Sequence, residues 1–458
     1  MIFKTHTHTT LKNFFINGII LTLTSLILRC IGMFFNSYIS QKIGAEAVGL
    51  YGLVMSVYFF AITIALSGIN LATTKIITEE ISNTKPIYYE NIKKIIRKCL
   101  IFCLIFSGFS SFLLIISAPL ICKTWLHSKI TPIPFYIISI SLPFISMSSC
   151  LSGYFTALRN AIKPASDQIL EQLLKVFFIS SFLNYFMPCG LEYICISLIL
   201  GNIISEIISF FYIYILYKLD ISKKPITLHR NNKFSFEKRF LEITIPVGLT
   251  SFVRSGLSTI KQVLIPINLE KSGNNCNQAL ANYGLVSGMA MPLVLFPNII
   301  ILAFANLLIP EFTEFKARSQ NLQISKITKK ALKYTLFFSL IISSVIFIFA
   351  SQLSELIYKS SNVTKYVQIL APLIPFMYID NIVDAILKGL DKQVTVLKIN
   401  IIDLVSGIFL IIVLIPKFGV LGYVFTIYFS EILNCGLSFY VLAREFLYLQ
   451  RPHTTLNF

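Results

Sequence analysis

The sequence predicts an all-α polytopic membrane protein: about twelve transmembrane helices in two six-helix, pseudo-symmetric lobes. Three observations carry that reading. Of 458 residues, 55% are hydrophobic and only 13% are charged, whereas a water-soluble surface needs about a quarter charged. Mean hydropathy is +0.75. The chain also repeats itself. Tyr51-Gly52-Leu53-Val54 returns as Tyr283-Gly284-Leu285-Val286, and Glu79 and Glu311 each follow 28 positions after the tyrosine. Pro143 with Pro372 and Arg159 with Lys388 continue the series at 229, and Ser205-Glu206-Ile207 matches Ser430-Glu431-Ile432 at 225. An offset falling from 232 to 225 fits a duplicated unit with shorter loops in its second copy. Duplication of this kind marks transporter folds, whose substrate site lies between the repeats. Finally, the basic residues alternate between the loops.

Taken in order, the spans fall near 14–38, 48–74, 99–121, 133–157, 167–187, 191–217, 243–268, 279–305, 333–352, 366–387, 394–415 and 420–443. Each run is long enough for a hydrocarbon core of about 30 Å at about 1.5 Å per helical residue. Lys4 and Lys12 precede the first run, but no small-residue cleavage site follows it, so the first span is expected to be retained. Residues 1–217 form the first lobe and 243–458 the second. The connector between them, Lys218–Glu242, carries Pro225 and seven Lys/Arg. Polar and unperiodic at its start, it reads as a linker.

Even-numbered loops and the termini hold 28 Lys/Arg, odd-numbered loops hold 7, and the rest lie inside spans. The positive-inside rule therefore places both termini in the cytoplasm, as an even number of spans requires. A formal net charge of +18 could point to nucleic acid, but these charges lie between spans, not in one basic domain. Tyr88–Lys98 and Phe315–Lys333 combine Lys/Arg with Ile/Leu at helical spacing and are expected to lie as amphipathic helices on anionic lipid. Prolines at 143, 246, 266, 292, 297, 372 and 375 each remove a backbone donor within a span. Kinks there suit helices that flank a cavity, or ordinary transmembrane packing.

Ionisable residues within spans are the sharpest functional signal, because each costs at least about 2.5–3.5 kcal/mol at mid-bilayer. Arg29 lies in span 1; Arg254 and Lys261 lie in span 7, seven residues apart on nearly one face. The offset of 232 carries Arg29 onto Lys261, so both repeats place a cation in their first span. Such cations would hold an anionic group such as phosphate or pyrophosphate, Arg as a fork and Lys as a point charge. The alternative is structural pairing with the acids Glu171, Glu206, Asp380, Asp384, Asp403 and Glu431. Glu171 and Lys175 are one turn apart and expected to neutralise each other. Asp380 and Asp384 share a face of span 10 and are candidate coupling carboxylates, since close like charges leave one protonated. Glu206 and Glu431 are expected to stabilise the fold.

No catalytic or metal-binding constellation is evident. His6, His8, His127, His229 and His453 all lie in termini or loops, no CxxC pair occurs among nine cysteines, and no Gly-rich phosphate loop is present. No cofactor is expected.

Several stretches resemble one family as a combination. They are Arg29-Cys-Ile-Gly32, Ile43-Gly-Ala-Glu-Ala-Val-Gly-Leu-Tyr51, Ser67-Gly68 through Glu80, Tyr154-Phe-Thr-Ala-Leu-Arg159 through Lys163-Pro164 to Glu171, and Tyr283 through Pro292. Together they resemble the stage V sporulation protein B family, in the polysaccharide-exporter branch of the multidrug/oligosaccharidyl-lipid/polysaccharide flippase superfamily. The resemblance implies two six-helix lobes around a central cavity, movement of a lipid-linked oligosaccharide by alternating access, and a link to peptidoglycan or spore-cortex synthesis. It also implies a bacterial cytoplasmic membrane, a monomer, and cell-wall enzymes as partners. Related lipid II flippases carry cavity arginines from spans 1 and 2 and from the start of the second lobe. Arg29 matches the first, Arg254 or Lys261 the last, and span 2 offers only Lys75 at its end. A cation-coupled drug exporter, which would want acids in the first lobe, and a non-transporting scaffold for cell-wall enzymes are the competing functions.

Overall fold

A computed structural model describes residues 2–66, 68–83, 89–125, 131–224 and 236–450, with side chains for 23–66, 68–82, 89–125, 131–224 and 236–447. The five histidines and connector residues 225–235 lie outside the described side chains. Every regular element among the described residues is helical. The order is α1 Ile2–Leu66, α2 Ile69–Asn83, α3 Tyr89–Thr124, α4 Ile133–Ala157, α5 Ile162–Phe186, α6 Leu191–Ser222, α7 Phe236–Lys271 and α8 Cys276–Tyr283. After a π-helical stretch at Gly284–Ala290 come α9 Met291–Leu295, α10 Asn298–Ala317, α11 Asn321–Ile348, α12 Ala350–Tyr358, α13 Asn362–Leu370, α14 Ile374–Gly389, α15 Gln393–Phe418 and α16 Val420–Gln450.

Ten segments of the described chain are long and apolar enough to cross a membrane, and one of them, Leu23–Ser82, holds both of the first two spans. These are separated at Gly44, where φ 77 and ψ 171 leave the helical region; only glycine adopts that conformation without strain. With α7, at 36 residues long enough but too polar to be among the ten, the architecture agrees with about twelve spans. Span 8 runs from α8 through α10, interrupted by the π-helical stretch and by turns at Phe296–Pro297. Span 10 runs from α13 into α14 through a 3-10 turn at Ala371–Leu373 that contains Pro372. Pro143, by contrast, sits inside an unbroken α4.

The repeat is visible in backbone detail. Arg159 ends α4 at φ 57 and Asp391 ends α14 at φ 59. At the first turn Leu158, Arg159 and Asn160 donate to the carbonyls of Tyr154, Thr156 and Phe155; at the second Leu390, Asp391 and Lys392 donate to Ile386, Lys388 and Leu387. Arg159 and Asp391 hold matching places in these two turns, 232 positions apart.

The chain folds as two compact units. Residues 1–32 with 53–259 make the first, and 33–52 with 260–458 make the second. In the first, α2, α3, α4, α6 and the start of α7 close around Ile76, Cys99, Tyr154, Phe210 and Phe240. The stretch expected to lie on lipid at Tyr88–Lys98 is the opening of α3, and its Ile92, Ile95 and Ile96 are buried in this core. Apolar burial against protein thus replaces burial in the headgroup layer. Likewise Asn321–Lys333 opens α11, with Ile324 buried but Leu322 89% exposed. In the second unit, residues 45–52 cross α8 and the π-helical stretch at backbone contact. A Cβ on Gly49 would lie 2.2 Å from the Leu280 carbonyl oxygen, and one on Gly284 2.0 Å from that of Ala45. Asn36 Nδ2 donates to the Gly288 carbonyl at 3.1 Å, and Ser37 and Gln41 donate to the carbonyl of Ile357.

Candidate functional site

The three cations singled out by the sequence have different surroundings. Lys261 belongs to the second unit, where Nζ donates to Ser430 Oγ at 2.9 Å and lies 3.9 Å from Asp403 Oδ2. Ser430 in turn donates to Asp403. Gly407, one turn beyond Asp403 on α15, leaves the room: a Cβ there would be 2.9 Å from Lys261 Nζ. Arg29 and Arg254 both belong to the first unit. Each is exposed, and neither has a hydrogen bond or ion pair among the described residues. Structural pairing therefore describes Lys261, while the two arginines keep their charge and all their N–H donors available.

The two aspartates of span 10 also separate. Asp384 lies 3.4 Å from Lys388 Nζ, one turn further on. Asp380 Oδ2 accepts from Asn434 Nδ2 at 2.9 Å, while Asp380 Oδ1 and Ser438 Oγ are buried without a hydrogen-bond partner among the described residues. Each aspartate thus has a partner of its own, and the two carboxyl groups remain one helical turn apart on α14.

A site that the sequence did not single out lies wholly within the first unit. The half of α1 after Gly44, with α2, α4, α5 and α6, encloses a polar cavity of about 380 Å³. Asp167, Glu171, Lys175, Asn202 and Glu206 line it, beside Tyr58. Glu171 and Lys175 pair at 3.4 Å, as their spacing leads one to expect. Glu206 is buried, and among the described residues no basic side chain comes within ion-pair distance of it. It accepts instead from Tyr58 Oη at 2.7 and 2.9 Å and from Asn202 Nδ2 at 2.6 Å. Tyr58 Oη is also 2.6 Å from Ser141 Oγ. Asp167 is buried and accepts from Ser209 Oγ at 2.7 Å. Three carboxylates face one ammonium. Fully ionised, the cavity would carry two uncompensated negative charges at membrane depth, each costing at least about 2.5–3.5 kcal/mol. Protons, a cation or a cationic ligand must offset them. Glu206, expected to stabilise the fold, is thereby a cavity residue as well. Glu171 and Lys175 were legible as an i,i+4 pair, but nothing in spacing connects Tyr58, Ser141, Asp167 and Glu206, which come from four different helices.

Comparison with known proteins agrees with this architecture. The family described as polysaccharide biosynthesis protein matches residues 14–316, and a second, MatE, matches residues 276–413. Stage V sporulation protein B of Bacillus subtilis (strain 168) is 24% identical over 90% of this chain and 80% of its own length. Sporulation protein YkvU of the same organism is 23% identical over 79% of each. Among solved structures, an inward-facing multidrug resistance MATE family transporter superposes with a TM-score of 0.73 at 14% identity, covering 95% of this chain and 100% of its own. The lipid II flippase MurJ in an inward closed conformation gives 0.69 at 15% identity, covering 94% and 90%. At such identities these likenesses establish the fold.

Proposed function

The chain belongs to the polysaccharide biosynthesis protein family, and on that premise we propose that it is a flippase or exporter moving a lipid-linked oligosaccharide or peptidoglycan-type precursor across the bacterial cytoplasmic membrane by alternating access. The reading includes no catalytic turnover. Residues 1–217 and 243–458 act as its two lobes, joined by the connector 218–242, with both termini cytoplasmic. Lipid II is the cargo in the MurJ neighbour's name; the reading here takes a glycan-bearing lipid pyrophosphate or phosphate as the class of substrate and includes a role in wall or cortex synthesis, which the likeness to two sporulation proteins supports.

One observation carries the proposal: Arg29 and Arg254 are mid-span guanidinium groups without a partner among the described residues. A guanidinium at that depth is retained where an anion or a water-filled path compensates it. Phosphate oxygens match its donors in pairs. Lys261 is the third cation of the proposal, and Asp403 draws on its charge. Substituting Arg29→Ala and Arg254→Ala in reconstituted vesicles, with translocation of a fluorescent polyprenyl-pyrophosphate glycan as readout, tests it. Transport should fall while insertion and folding persist.

The cavity of the first unit favours a second reading, a cation-coupled exporter of the same fold, because Asp167, Glu171 and Glu206 supply acids in the first lobe. Efflux of a cationic dye, lost in Glu206→Gln and unaffected by Arg29→Ala, would select that reading over the first.

A further inference from the structure

We propose that Glu206 is a proton-binding site of the first unit, served by a hydrogen-bonded chain that runs from its carboxylate through Tyr58 and Ser141 to the carbonyl of Ile138. The geometry accommodates both protonation states without moving a heavy atom. When Glu206 is ionised, Tyr58 O–H and Asn202 N–H donate to it, at 2.7 and 2.6 Å. When it is protonated, the chain reverses. Glu206 O–H donates to Tyr58 Oη, Tyr58 O–H donates to Ser141 Oγ at 2.6 Å, and Ser141 O–H donates to the Ile138 carbonyl at 3.0 Å. Every hydroxyl in the row then has an acceptor, and the last acceptor is a backbone oxygen that cannot pass the proton on. Buried polar groups persist when each is satisfied, and here that holds on both sides of the titration. The step is a single O–H bond formed or broken at a Glu206 carboxylate oxygen, with water of the cavity as the proton's source and destination.

The charges around Glu206 make a proton the fitting ligand. Tyr58 faces it from α1. Asp167, Glu171 and Lys175 face the same cavity from α5, and Lys175 is already paired with Glu171. Lys175 acts on Glu206 through its charge, but no basic side chain hydrogen-bonds Glu206 among the described residues. A sodium ion needs several converging oxygen lone pairs, whereas donors already occupy both oxygens of Glu206, since Tyr58 O–H reaches each and the amide of Asn202 is directed at one. Asp167 lines the same cavity but accepts from Ser209 and stands outside the chain.

Coupling this proton to glycan movement rests on the transporter reading; the proton site itself does not. Its test therefore needs no substrate. Infrared difference spectra of the purified full-length protein, recorded across a pH series without sodium, should contain a carboxylic-acid C=O band that titrates. Glu206→Gln should remove that band, and Glu171→Gln should leave it. Tyr58→Phe, which keeps the ring and deletes the hydroxyl, strips the ionised carboxylate of a donor and should move the band's midpoint to higher pH. A band unchanged in Glu206→Gln overturns the proposal, as does a midpoint unmoved in Tyr58→Phe should Glu206→Gln fail to fold. Loss of the wild-type band on adding sodium at fixed pH would also overturn it, making this a sodium site. If the band behaves as stated and no glycan lipid moves, the function proposal fails and the proton site stands.

Discussion

Lys261 and Asp403 form an ion pair between α7 and α15, 3.9 Å apart, with Ser430 of α16 donating to the aspartate and accepting from the lysine. Both side chains are largely buried, at 21% and 15% exposure. Removing one partner leaves the other charge uncompensated, whereas removing both need not cost much. Lys261→Met or Asp403→Asn alone should each lower stability by on the order of 3 kcal/mol, and the double variant should recover most of it. Apparent melting temperatures of the four proteins in detergent measure this. Equal, additive losses would show that the pair is not coupled.

The glycine crossing in the second unit gives a steric prediction. Gly284→Ala would place a methyl 2.0 Å from the Ala45 carbonyl oxygen, and Gly49→Ala one 2.2 Å from that of Leu280. Both neighbours are backbone and cannot turn aside, so each variant should lose about 1–3 kcal/mol. Gly108→Ala, with nothing within 4 Å of its Cβ position, is the control and should match the parent in thermal unfolding.

The charge bias gives a topology that native cysteines can read. Cys189 is exposed between α5 and α6, and Cys276 opens α8. Both fall in odd-numbered loops, so a membrane-impermeant maleimide should reach Cys189 in intact cells. A cysteine introduced at Lys223, in the connector, should react only after permeabilisation. The opposite pattern would invert the orientation.

Much of the fold was legible because hydropathy and duplication report on the same helices. Span 7 shows the value of the second signal: Thr250, Ser251, Arg254 and Lys261 make it too polar for composition alone, yet the repeat demands it. Duplication also placed Arg29 over Lys261, but it could not say which acid each cation would meet. Asp403 is 142 residues from Lys261 in sequence, and no helical spacing links them. The same limit hid the cavity of the first unit, where single residues from α1, α4, α5 and α6 assemble around Glu206. Local pairs such as Glu171–Lys175 were visible because one helix turn brings them together. Asp384 meets Lys388 one turn along its own helix, a pair of the same local kind, whereas the partner of Asp380, Asn434, is brought by packing from α16.

The central claim is that Arg29 and Arg254 hold the anionic head of a lipid-linked glycan as it crosses. The direct measurement is the rate at which vesicles containing the purified protein translocate a fluorescent polyprenyl-pyrophosphate glycan, normalised to folded protein, for the parent, Arg29→Ala, Arg254→Ala and Arg29→Lys. We predict a fall of at least tenfold in each alanine variant, equivalent to about 1.4 kcal/mol, with unchanged melting temperature and a smaller loss in Arg29→Lys, which keeps charge but not the paired grip. Parental rates in both alanine variants, or losses that only follow disappearance of folded protein, would contradict the claim.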